Sequence, residues 1–312
     1  MPSKGILQTD LQLADNQQKY TGKVRDTYTI EDKIVMVATD RISAFDVVSK
    51  QPIPYKGQVI NQIAADQLER TSDIIDNWVT STPDPNVTVG VKASVIPVEV
   101  IVRGYLAGSA WRAYEGGSRN ICGVALADDL HKNERFPVPI ITPTTKAVEG
   151  HDEETSAEQM VESGVVTADE WSRIETIAHQ LFDRGSDDAR KQNLILVDTK
   201  YEFGRLENGD IILVDEIHTP DSSRYWLSAD YNQKYMDGTD QEQLSKEFVR
   251  EWLLEQGFDG STGEWPTMPD DFVDKVSQRY IELYEKLLGK EFDKASYDDV
   301  EQRITDNLKG VI

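Results

Sequence analysis

The sequence has 312 residues, of which 38% are hydrophobic and 29% charged, and its 56 acidic residues against 33 lysines and arginines give a net charge of −23. Proteins that bind nucleic acid normally carry the opposite charge, so we exclude that class. The N-terminus has no hydrophobic signal segment, no apolar run approaches the length of a membrane span, and the single cysteine, Cys122, allows no intrachain disulfide. We therefore expect a cytoplasmic protein with a strongly hydrated surface.

The first hundred residues predict a hairpin, a helix and a buried strand. Residues 24–30 and 33–39 read as two strands around a short turn, and the first strand has a basic, polar face. Apolar residues at helical spacing predict a helix over residues 57–70. The proline-containing residues 81–86 are expected to form a linker, and residues 95–103 a buried strand.

The middle of the chain predicts a long irregular region, a helix and a second hairpin. Residues 115–158 are rich in glycine and proline, which in a compact enzyme favours a functional loop region. Thr167 and Glu170 have the spacing of a capping box, and an apolar stripe follows them. Residues 194–218 read as a hairpin that turns at Asn208-Gly209.

The last third of the sequence predicts helices. One helix is expected to be capped by Asp240 and to end at Gly257, and a second is expected over residues 271–288, ending at Gly289. Strands early and in the middle with helices late indicate an α+β fold. No heptad seam is present in these helices, so we expect a monomer.

The second hairpin predicts a metal site. If Asn208 and Gly209 are the two central residues of the turn, Glu202 lies directly opposite Asp215, and Lys200 shares the face of Glu202. Opposed carboxylates repel, and a cation between them explains why a sheet tolerates them; Mg²⁺ is usually held by such oxygens together with phosphates. A solvent-facing pair neutralised by Lys200 remains the alternative.

Two further segments have the composition of phosphate-binding sites. Gly22 is followed by Lys23 and Arg25 on alternating positions, which can present a lysine and backbone N–H groups to phosphate oxygens. Arg103 ends a predicted strand beside a turn that contains Ser109, and a guanidinium there suits a phosphate monoester. An ordinary loop arginine paired with a nearby acid explains the second segment equally well.

Other polar segments carry less specific signals. Residues 40–46 and 215–226 each combine acid, hydroxyl and arginine groups, which suits a ligand with amine and carboxylate groups. His218 is more often structural than catalytic at such a position, and His151 with its acidic neighbours has the wrong spacing for zinc. Cys122 has no evident partner and is expected to be inert.

Seven segments in the order of the chain together resemble the SAICAR synthetase family, in its longer form. These segments are GKVRDTY (22–28), TDRISAFD (39–46), KGQVINQIA (56–64), IPVEVIVRGYLAGSAW (96–111), ITPTTKAVEGHDEE (141–154), LVDTKYEFG (196–204) and ILVDEIHTPDSSRYW (212–226).

The resemblance implies an ATP-dependent ligase of purine biosynthesis. Such an enzyme joins L-aspartate to the carboxylate of 5-amino-1-(5-phosphoribosyl)imidazole-4-carboxylate, giving SAICAR, ADP and phosphate, with ATP and Mg²⁺ as cofactors. It also implies an N-terminal antiparallel-sheet lobe related to the ATP-binding lobes of kinases and ATP-grasp enzymes, at residues 1–97. A larger α+β domain with C-terminal helices would then span residues 98–312.

Site residues follow from the same resemblance. The nucleotide and metal set comprises Gly22, Lys23, Arg25, Glu99, Lys200, Glu202 and Asp215, with Glu202 and Asp215 as the magnesium carboxylates. The substrate set comprises Arg41, Ser43, Asp46, Arg103, Ser109, Thr144, Lys146 and Arg224. Residues 97–99 are expected to contact the adenine through their backbone, and His151 and Asp152 to lie in a loop over the site.

The expected mechanism passes through an acyl phosphate, for which positioning and charge neutralisation suffice. Lys23 and Lys200 would offset developing charge, and Asp46 or Asp152 would accept the proton of the aspartate amine. A small-molecule kinase and an acidic, non-catalytic interaction protein are the alternatives.

Overall fold

The computed structural model of the chain describes residues 4–146, 153–261 and 263–312. The N-terminal elements are β1 (Gln18–Thr21), β2 (Arg25–Ile30), β3 (Lys33–Ala38), β4 (Ser43–Ala44), β5 (Val47–Val48), α1 (Lys56–Arg70), β6 (Val79–Asp84) and β7 (Val87–Val91). Five of these strands form an antiparallel sheet in the order β1-β2-β3-β7-β6. The predicted first hairpin, β2–β3, and the predicted helix α1 are thereby confirmed.

The linker expected at residues 81–86 is wrong. This segment belongs to β6 and to its turn into β7, and the side chains of Asp84 and Asn86 are buried. β6 is the edge strand of its sheet and its pairing with β7 is interrupted twice. Pro83 is tolerated there because an edge strand does not need every backbone N–H for the ladder.

The middle of the chain builds a second, six-stranded sheet. Its elements and the intervening ones are β8 (Ser94–Tyr105), α2 (Gly108–Glu115), β9 (Asn120–Ile121), β10 (Val124–Ala125), β11 (Arg135–Ile141), β12 (Thr144–Thr145), α3 (Ala157–Glu162), α4 (Ala168–Lys191), β13 (Leu194–Arg205), β14 (Ile211–Val214) and β15 (Ser223–Leu227). The order is β11-β8-β13-β14, with β12 also on β8 and β15 also on β13. The long strands β8 and β13 are the centre of this sheet, and α4 packs against β13.

The predicted hairpin between β13 and β14 exists, but the predicted register is wrong. Glu202 lies opposite Val214, one residue short of Asp215. The backbone N–H of Leu206 donates to Asp210 and that of Gly209 donates to Leu206, both at 2.9 Å, so three residues form the loop. Gly209 has a φ of 88°, the left-handed conformation that such a three-residue loop requires.

The C-terminal part is helical, as predicted. Its helices are α5 (Tyr231–Asp237), α6 (Glu247–Glu255), α7 (Asp270–Leu288) and α8 (Val300–Leu308). α7 ends at Gly289 with a φ of 65°, as expected. The cap assigned to Asp240 is wrong, because α6 begins only at Glu247 and Asp240 instead pairs with Lys132 at 2.6 Å.

Antiparallel sheets with helices late in the chain confirm the α+β prediction. The main hydrophobic core lies between α1, α4, α7 and the second sheet, and the stripe of α4 that begins at Trp171 is buried in it. A smaller core forms where Ile304 and Leu308 of α8 cover the first sheet. The domain boundary expected at residues 97 and 98 falls within β8, and the division into two domains stays a prediction.

Candidate active site

A cleft of about 440 Å³ opens where the first sheet meets the second. Alternate residues of a strand face the same side, and Glu99, Ile101 and Arg103 of β8 all line the cleft, as do Asp198 and Lys200 of the neighbouring strand β13. Glu99 and Arg103 stand about 13 Å apart along their strand, given a rise of roughly 3.3 Å per residue. The cleft therefore has two groups of charged side chains, one around Lys200 and one around Arg103.

The first group is built on Lys200. Its ammonium donates to Glu202, lies 3.1 Å from Glu99 Oε1 and 3.5 Å from Asp215 Oδ2. Burial by itself would lower the pKa of Lys200, but the carboxylates of Glu202, Glu99 and Asp215 hold that pKa well above its usual value. Lys200 thus remains a cation surrounded by three carboxylates.

Asp215 reaches this group because it leaves the strand. It follows the last residue of β14 and has a φ of 62°, which turns the chain away from the ladder. Arg25 Nη1 donates to Asp215 Oδ1 at 2.9 Å, and the other end of the same guanidinium pairs with Glu216. Despite burial, Arg25 and Lys200 hold the pKa of Asp215 well below its usual range. Asp215 is thus an anion held between two cations.

The second group is built on Arg103 and Arg224. Arg103 donates to Thr142 Oγ1 at 2.8 Å and to Ser109 Oγ at 3.2 Å, while Arg224 pairs with Asp198. Gly108 has a φ of 57°, and a Cβ there would lie 2.4 Å from Arg224 Nη2. Glycine allows this backbone conformation without displacing the guanidinium of Arg224, and Ser109 follows at the beginning of α2, beside Arg103.

The hairpin of β4 and β5 contributes a turn to one side of the cleft. β4 and β5 pair across Phe45 and Asp46, which both have positive φ values, 52° and 62°. Ser43, Phe45 and Asp46 line the cleft, and Asp46 pairs with Lys23. The predicted residues Lys23, Ser43 and Asp46 are thus brought together at one side of the cleft.

A family model described as SAICAR synthetase matches residues 18–264. The chain belongs to the SAICAR synthetase family. The family and enzyme class expected from the sequence are confirmed, and with them an ATP-dependent ligase step of purine biosynthesis.

Proteins named phosphoribosylaminoimidazole-succinocarboxamide synthase are similar over nearly their whole length. That of Cytophaga hutchinsonii is 52% identical over 97% of this chain and 98% of its own, and that of Bacteroides thetaiotaomicron is 53% identical over 98% of both. Among solved structures, SAICAR synthase of Saccharomyces cerevisiae complexed with SAICAR is 34% identical, with a TM-score of 0.79 over 91% of this chain and 99% of its own. A type-2 SAICAR synthetase in complex with ADP is 25% identical, with a TM-score of 0.68 over 88% of this chain and 100% of its own.

Some residues that the resemblance assigned to this SAICAR synthetase family site lie behind the cleft. Arg41 is buried and donates to Asp26 at 2.8 Å and to the carbonyl of Gly22 at 2.9 Å. The N–H of Gly22 donates to the carbonyl of Arg25 at 2.8 Å, so it does not point at a ligand. The structure therefore places Arg41 and Gly22 as supports of the segment that carries Lys23 and Arg25.

The strand β12 and the residue after it bring two more predicted residues, Thr144 and Lys146, to the first group. Thr144 pairs with Glu99 of β8, and its buried hydroxyl has no hydrogen-bond partner among the described residues. The ammonium of Lys146 donates to Glu202, a residue that is only 2% exposed and lies beneath the residues that line the cleft. His151 and Asp152 lie outside the described residues.

Three cationic residues of the cleft were not predicted from the sequence: Arg112, Lys246 and Arg250. Burial, Arg250 and Arg224 lower the pKa of Arg112. Burial, together with Arg250 and Lys56, lowers the pKa of Lys246 to about 8 against the opposing attraction of Asp221 and Glu216. Crowded positive charge of this kind is typical of an anion site. A signal existed, because Lys246 and Arg250 are four residues apart, the spacing that places two side chains on one face of a helix.

His218 and Cys122 take no part in the site, as expected. His218 is fully buried, hydrogen-bonds Tyr201 at 2.7 Å and Gln67 at 2.9 Å, and has its pKa lowered to about 4 by burial. Burial raises the pKa of the Cys122 thiol to about 11, so the reactive thiolate is disfavoured.

The oxygen ligands of the first group fit a magnesium ion. Glu202 and Asp215 both approach Lys200, so their carboxylates are close together although they are not cross-strand partners. The described residues contain no cluster of three or more His, Cys, Asp or Glu side chains that could hold a metal by itself. Two carboxylates completed by nucleotide phosphates are the usual arrangement for Mg²⁺.

No helix in the described parts of the chain is long and apolar enough to cross a membrane.

Proposed function

We propose that this chain joins L-aspartate to the carboxylate of 5-amino-1-(5-phosphoribosyl)imidazole-4-carboxylate, with conversion of ATP to ADP and phosphate, and so forms SAICAR. One observation carries the proposal. The same cleft has a lysine surrounded by carboxylates at one end and a group of arginines at the other, and alternate residues of β8 and β13 line it from one to the other. The first suits Mg-ATP and the second a phosphate monoester, which this ribonucleotide carries.

ATP would bind beside Lys23, Arg25 and Lys200, with Glu99 facing it from β8. Glu202 and Asp215 would hold Mg²⁺, which when bound neutralises charge on the nucleotide phosphates. Lys200 and Lys146 balance the two carboxylates in the ligand-free protein. Their mobile ammonium groups can move to phosphate oxygens when a cation takes their place between the carboxylates.

The ribonucleotide phosphate would bind the arginine group. Arg103, Arg224 and Ser109 surround one part of the cleft, and Arg112 and Arg250 add two further guanidinium groups. Guanidinium groups bind two phosphate oxygens at once, which fixes orientation as well as charge. In this pose the imidazole carboxylate points along β8 towards Lys200 and the nucleotide.

Aspartate would bind between the turn that carries Ser43 and Asp46 and the ammonium of Lys246. All three residues line the cleft. A cation there suits a substrate carboxylate, and Asp46 suits the amine. Asp46 or Asp152 would accept the proton that the amine loses, and Thr144 would lie close by, beside Glu99.

The reaction we propose has two balanced steps. A carboxylate oxygen of the imidazole substrate attacks the γ-phosphorus, the bond to ADP breaks, and an acyl phosphate forms. The aspartate amine then attacks the acyl carbon, phosphate leaves with the bonding electron pair, and one amine proton passes to the acceptor carboxylate. The chain's own residues hold the three reactants in line and offset charge through Lys23 and Lys200.

We further propose that the protein acts as a monomer in the cytoplasm, because the sequence of its C-terminal helices has no heptad seam. Light scattering at the concentration of the assay tests the first point.

Release of ADP and phosphate by the purified protein tests the proposed function, with each of the three substrates omitted in turn. We expect product only when Mg-ATP, the imidazole ribonucleotide and L-aspartate are all present, with SAICAR detected by its absorbance. ATP consumption that does not need aspartate would favour a kinase, and no consumption with the complete mixture would favour a non-catalytic protein.

A further inference from the structure

The C-terminal helix α7 contacts the active site although it lies beyond the residues that the family model matches. Ser277 Oγ donates to the carbonyl of Pro54 at 2.6 Å, just before α1, and the guanidinium of Arg279 donates to the carbonyl of Gln243, near α6. The next residue along α7 is Tyr280, whose hydroxyl donates to Asp221 Oδ1 at 2.7 Å. α7 therefore connects α1 with the loop that follows β14.

Tyr280 completes a buried ionic group. Lys56 is completely buried, and its ammonium lies 2.7 Å from Asp221 Oδ2 and 5.7 Å from the centre of the Tyr280 ring. Both oxygens of Asp221 are thus engaged, one by Lys56 and one by Tyr280. A buried ion pair holds a fixed geometry only when its remaining lone pairs are hydrogen-bonded, and here the hydroxyl of Tyr280 supplies that bond.

Asp221 lies in the middle of the loop that carries Arg224. Its N–H donates to Thr219 Oγ1 at 3.2 Å, and Thr219 Oγ1 donates to Glu216 at 2.8 Å. The loop ends in β15, where Arg224 faces Asp198 and lies against Gly108. Asp221 also faces Lys246, whose backbone N–H donates to the carbonyl of Pro220. Asp221 therefore lies in the loop that leads to Arg224 and next to Lys246.

We propose that Tyr280 is a positioning residue of the active site, which through Asp221 and Lys56 fixes the loop of residues 219–224 for binding of the phosphate-bearing substrate. This inference rests on the proposed function, because that function identifies the ligand of the arginine group. The nucleotide end is expected to depend less on Tyr280, since Lys23, Arg25 and Lys200 do not hydrogen-bond Tyr280, Asp221 or Lys56. Arg25 is linked to Asp221 only indirectly, through Glu216 and Thr219.

The test uses the full chain with Tyr280→Phe, which removes one oxygen and keeps the ring beside Lys56. Tyr284→Phe is the matched control, because Tyr284 lies one turn further along α7 and packs edge-on against Phe292, away from the cleft. Affinities for the imidazole ribonucleotide and for ADP are measured by titration calorimetry, together with kcat, KM for each substrate and the melting temperature.

We expect Tyr280→Phe to weaken ribonucleotide binding and to raise its KM by about fivefold to tenfold. This is less than the full contribution of a hydrogen bond to a charged group, because the bond acts on the ligand only through the loop. ADP affinity and the KM for ATP should stay within about twofold, and Tyr284→Phe should stay within about twofold on every measure. This split separates positioning from general loosening, which would weaken both ligands together.

An unchanged ribonucleotide affinity in Tyr280→Phe overturns the inference, and so does an equal loss for ADP. If the wild-type chain binds the ribonucleotide but forms no product, the proposed function fails and the calorimetric comparison alone decides the role of Tyr280. If the wild-type chain does not bind the ribonucleotide, both proposals are wrong.

Discussion

Arg25 Nη1 donates a hydrogen bond to Asp215 Oδ1 at 2.9 Å, across 190 residues of sequence. The same guanidinium pairs with Glu216, and its side chain is only 13% exposed. The first hairpin of the first sheet is thereby fixed to the end of β14, where the proposed magnesium ligand lies. Because the contact joins the first sheet to the second, changes at Arg25 should affect stability and nucleotide binding together.

Arg25→Lys should therefore be a damaging substitution. An ammonium can satisfy one of the two carboxylates but not both in the planar geometry of a guanidinium. We expect the free energy of unfolding to fall by about 2 kcal/mol and the KM for ATP to rise about tenfold. Urea denaturation and steady-state kinetics measure the two effects, and Arg173→Lys, on the exposed face of α4, is the control. Wild-type values for both quantities would show that the double contact is unimportant.

Glu202→Gln should abolish magnesium-dependent turnover while the fold is kept. The amide retains the shape of the side chain but loses the charge that would hold the ion, so we expect kcat to fall about 100-fold or more and the Mg²⁺ concentration for half-maximal rate to rise. A magnesium titration of initial rates measures this. Glu207→Gln, in the exposed hairpin loop, serves as the control. An unaltered magnesium dependence in Glu202→Gln would remove Glu202 from the metal site.

Because of Lys246, the pH profile of the KM for aspartate should have an alkaline limb, in which the KM rises. Burial and neighbouring cations lower the pKa of Lys246 to about 8, so the ligand-free protein loses this positive charge as the pH rises through that value. A substrate carboxylate held by the ammonium should then bind more weakly, and the KM for aspartate should increase between about pH 7.5 and 9. In Lys246→Arg, whose guanidinium stays charged, the limb should disappear. A flat profile in the wild type, or the same limb in the arginine variant, would contradict this assignment.

The ion pair of Arg205 with Glu170 should stabilise the fold only above acid pH. Arg205 Nε donates to Glu170 Oε1 at 2.7 Å, and this bond lowers the pKa of Glu170 from 4.5 to about 2. A carboxyl with a lowered pKa adds stability above its unfolded pKa and loses it as the pH falls towards the folded pKa. Arg205→Met should thus cost about 1 kcal/mol at pH 7, and the cost should shrink between pH 4.5 and pH 2.

Thermal unfolding of the two proteins across this pH range measures the difference. Arg190→Met is the control, since the side chain of Arg190 is 76% exposed and its pair with Asp187 should add little. A constant difference between wild type and Arg205→Met at all pH values would show that the contribution of Arg205 is packing and not charge.

The sequence predicted the strands of the site correctly but not the register in which they pair. Strand alternation and the Asn-Gly turn correctly located β13 and β14, but a three-residue loop moved Glu202 opposite Val214. Glu202 and Asp215 meet at Lys200 all the same, because Asp215 adopts a left-handed backbone conformation as the strand ends. Neither the loop length nor this conformation follows from a period-two pattern, since both depend on the packing around them.

Long-range contacts account for most of what the sequence did not predict. The family motifs pointed to Arg41 as a substrate residue, but its guanidinium is occupied by Asp26 and by the carbonyl of Gly22. Tyr280 lies in a segment without a recognisable motif and reaches Asp221 only through the packing of α7. Such partners are set by how helices dock on the sheets, and local periodicity contains no information on that docking.

The fate of the carboxylate oxygens of the imidazole substrate tests the central claim most directly. The substrate is labelled with ¹⁸O in that carboxylate and converted in the presence of Mg-ATP and L-aspartate, and the released phosphate is analysed by mass spectrometry. An acyl phosphate in this cleft transfers one labelled oxygen to phosphate and leaves the other in the new amide. Phosphate without label, formed together with SAICAR, would contradict activation of the carboxylate by phosphoryl transfer.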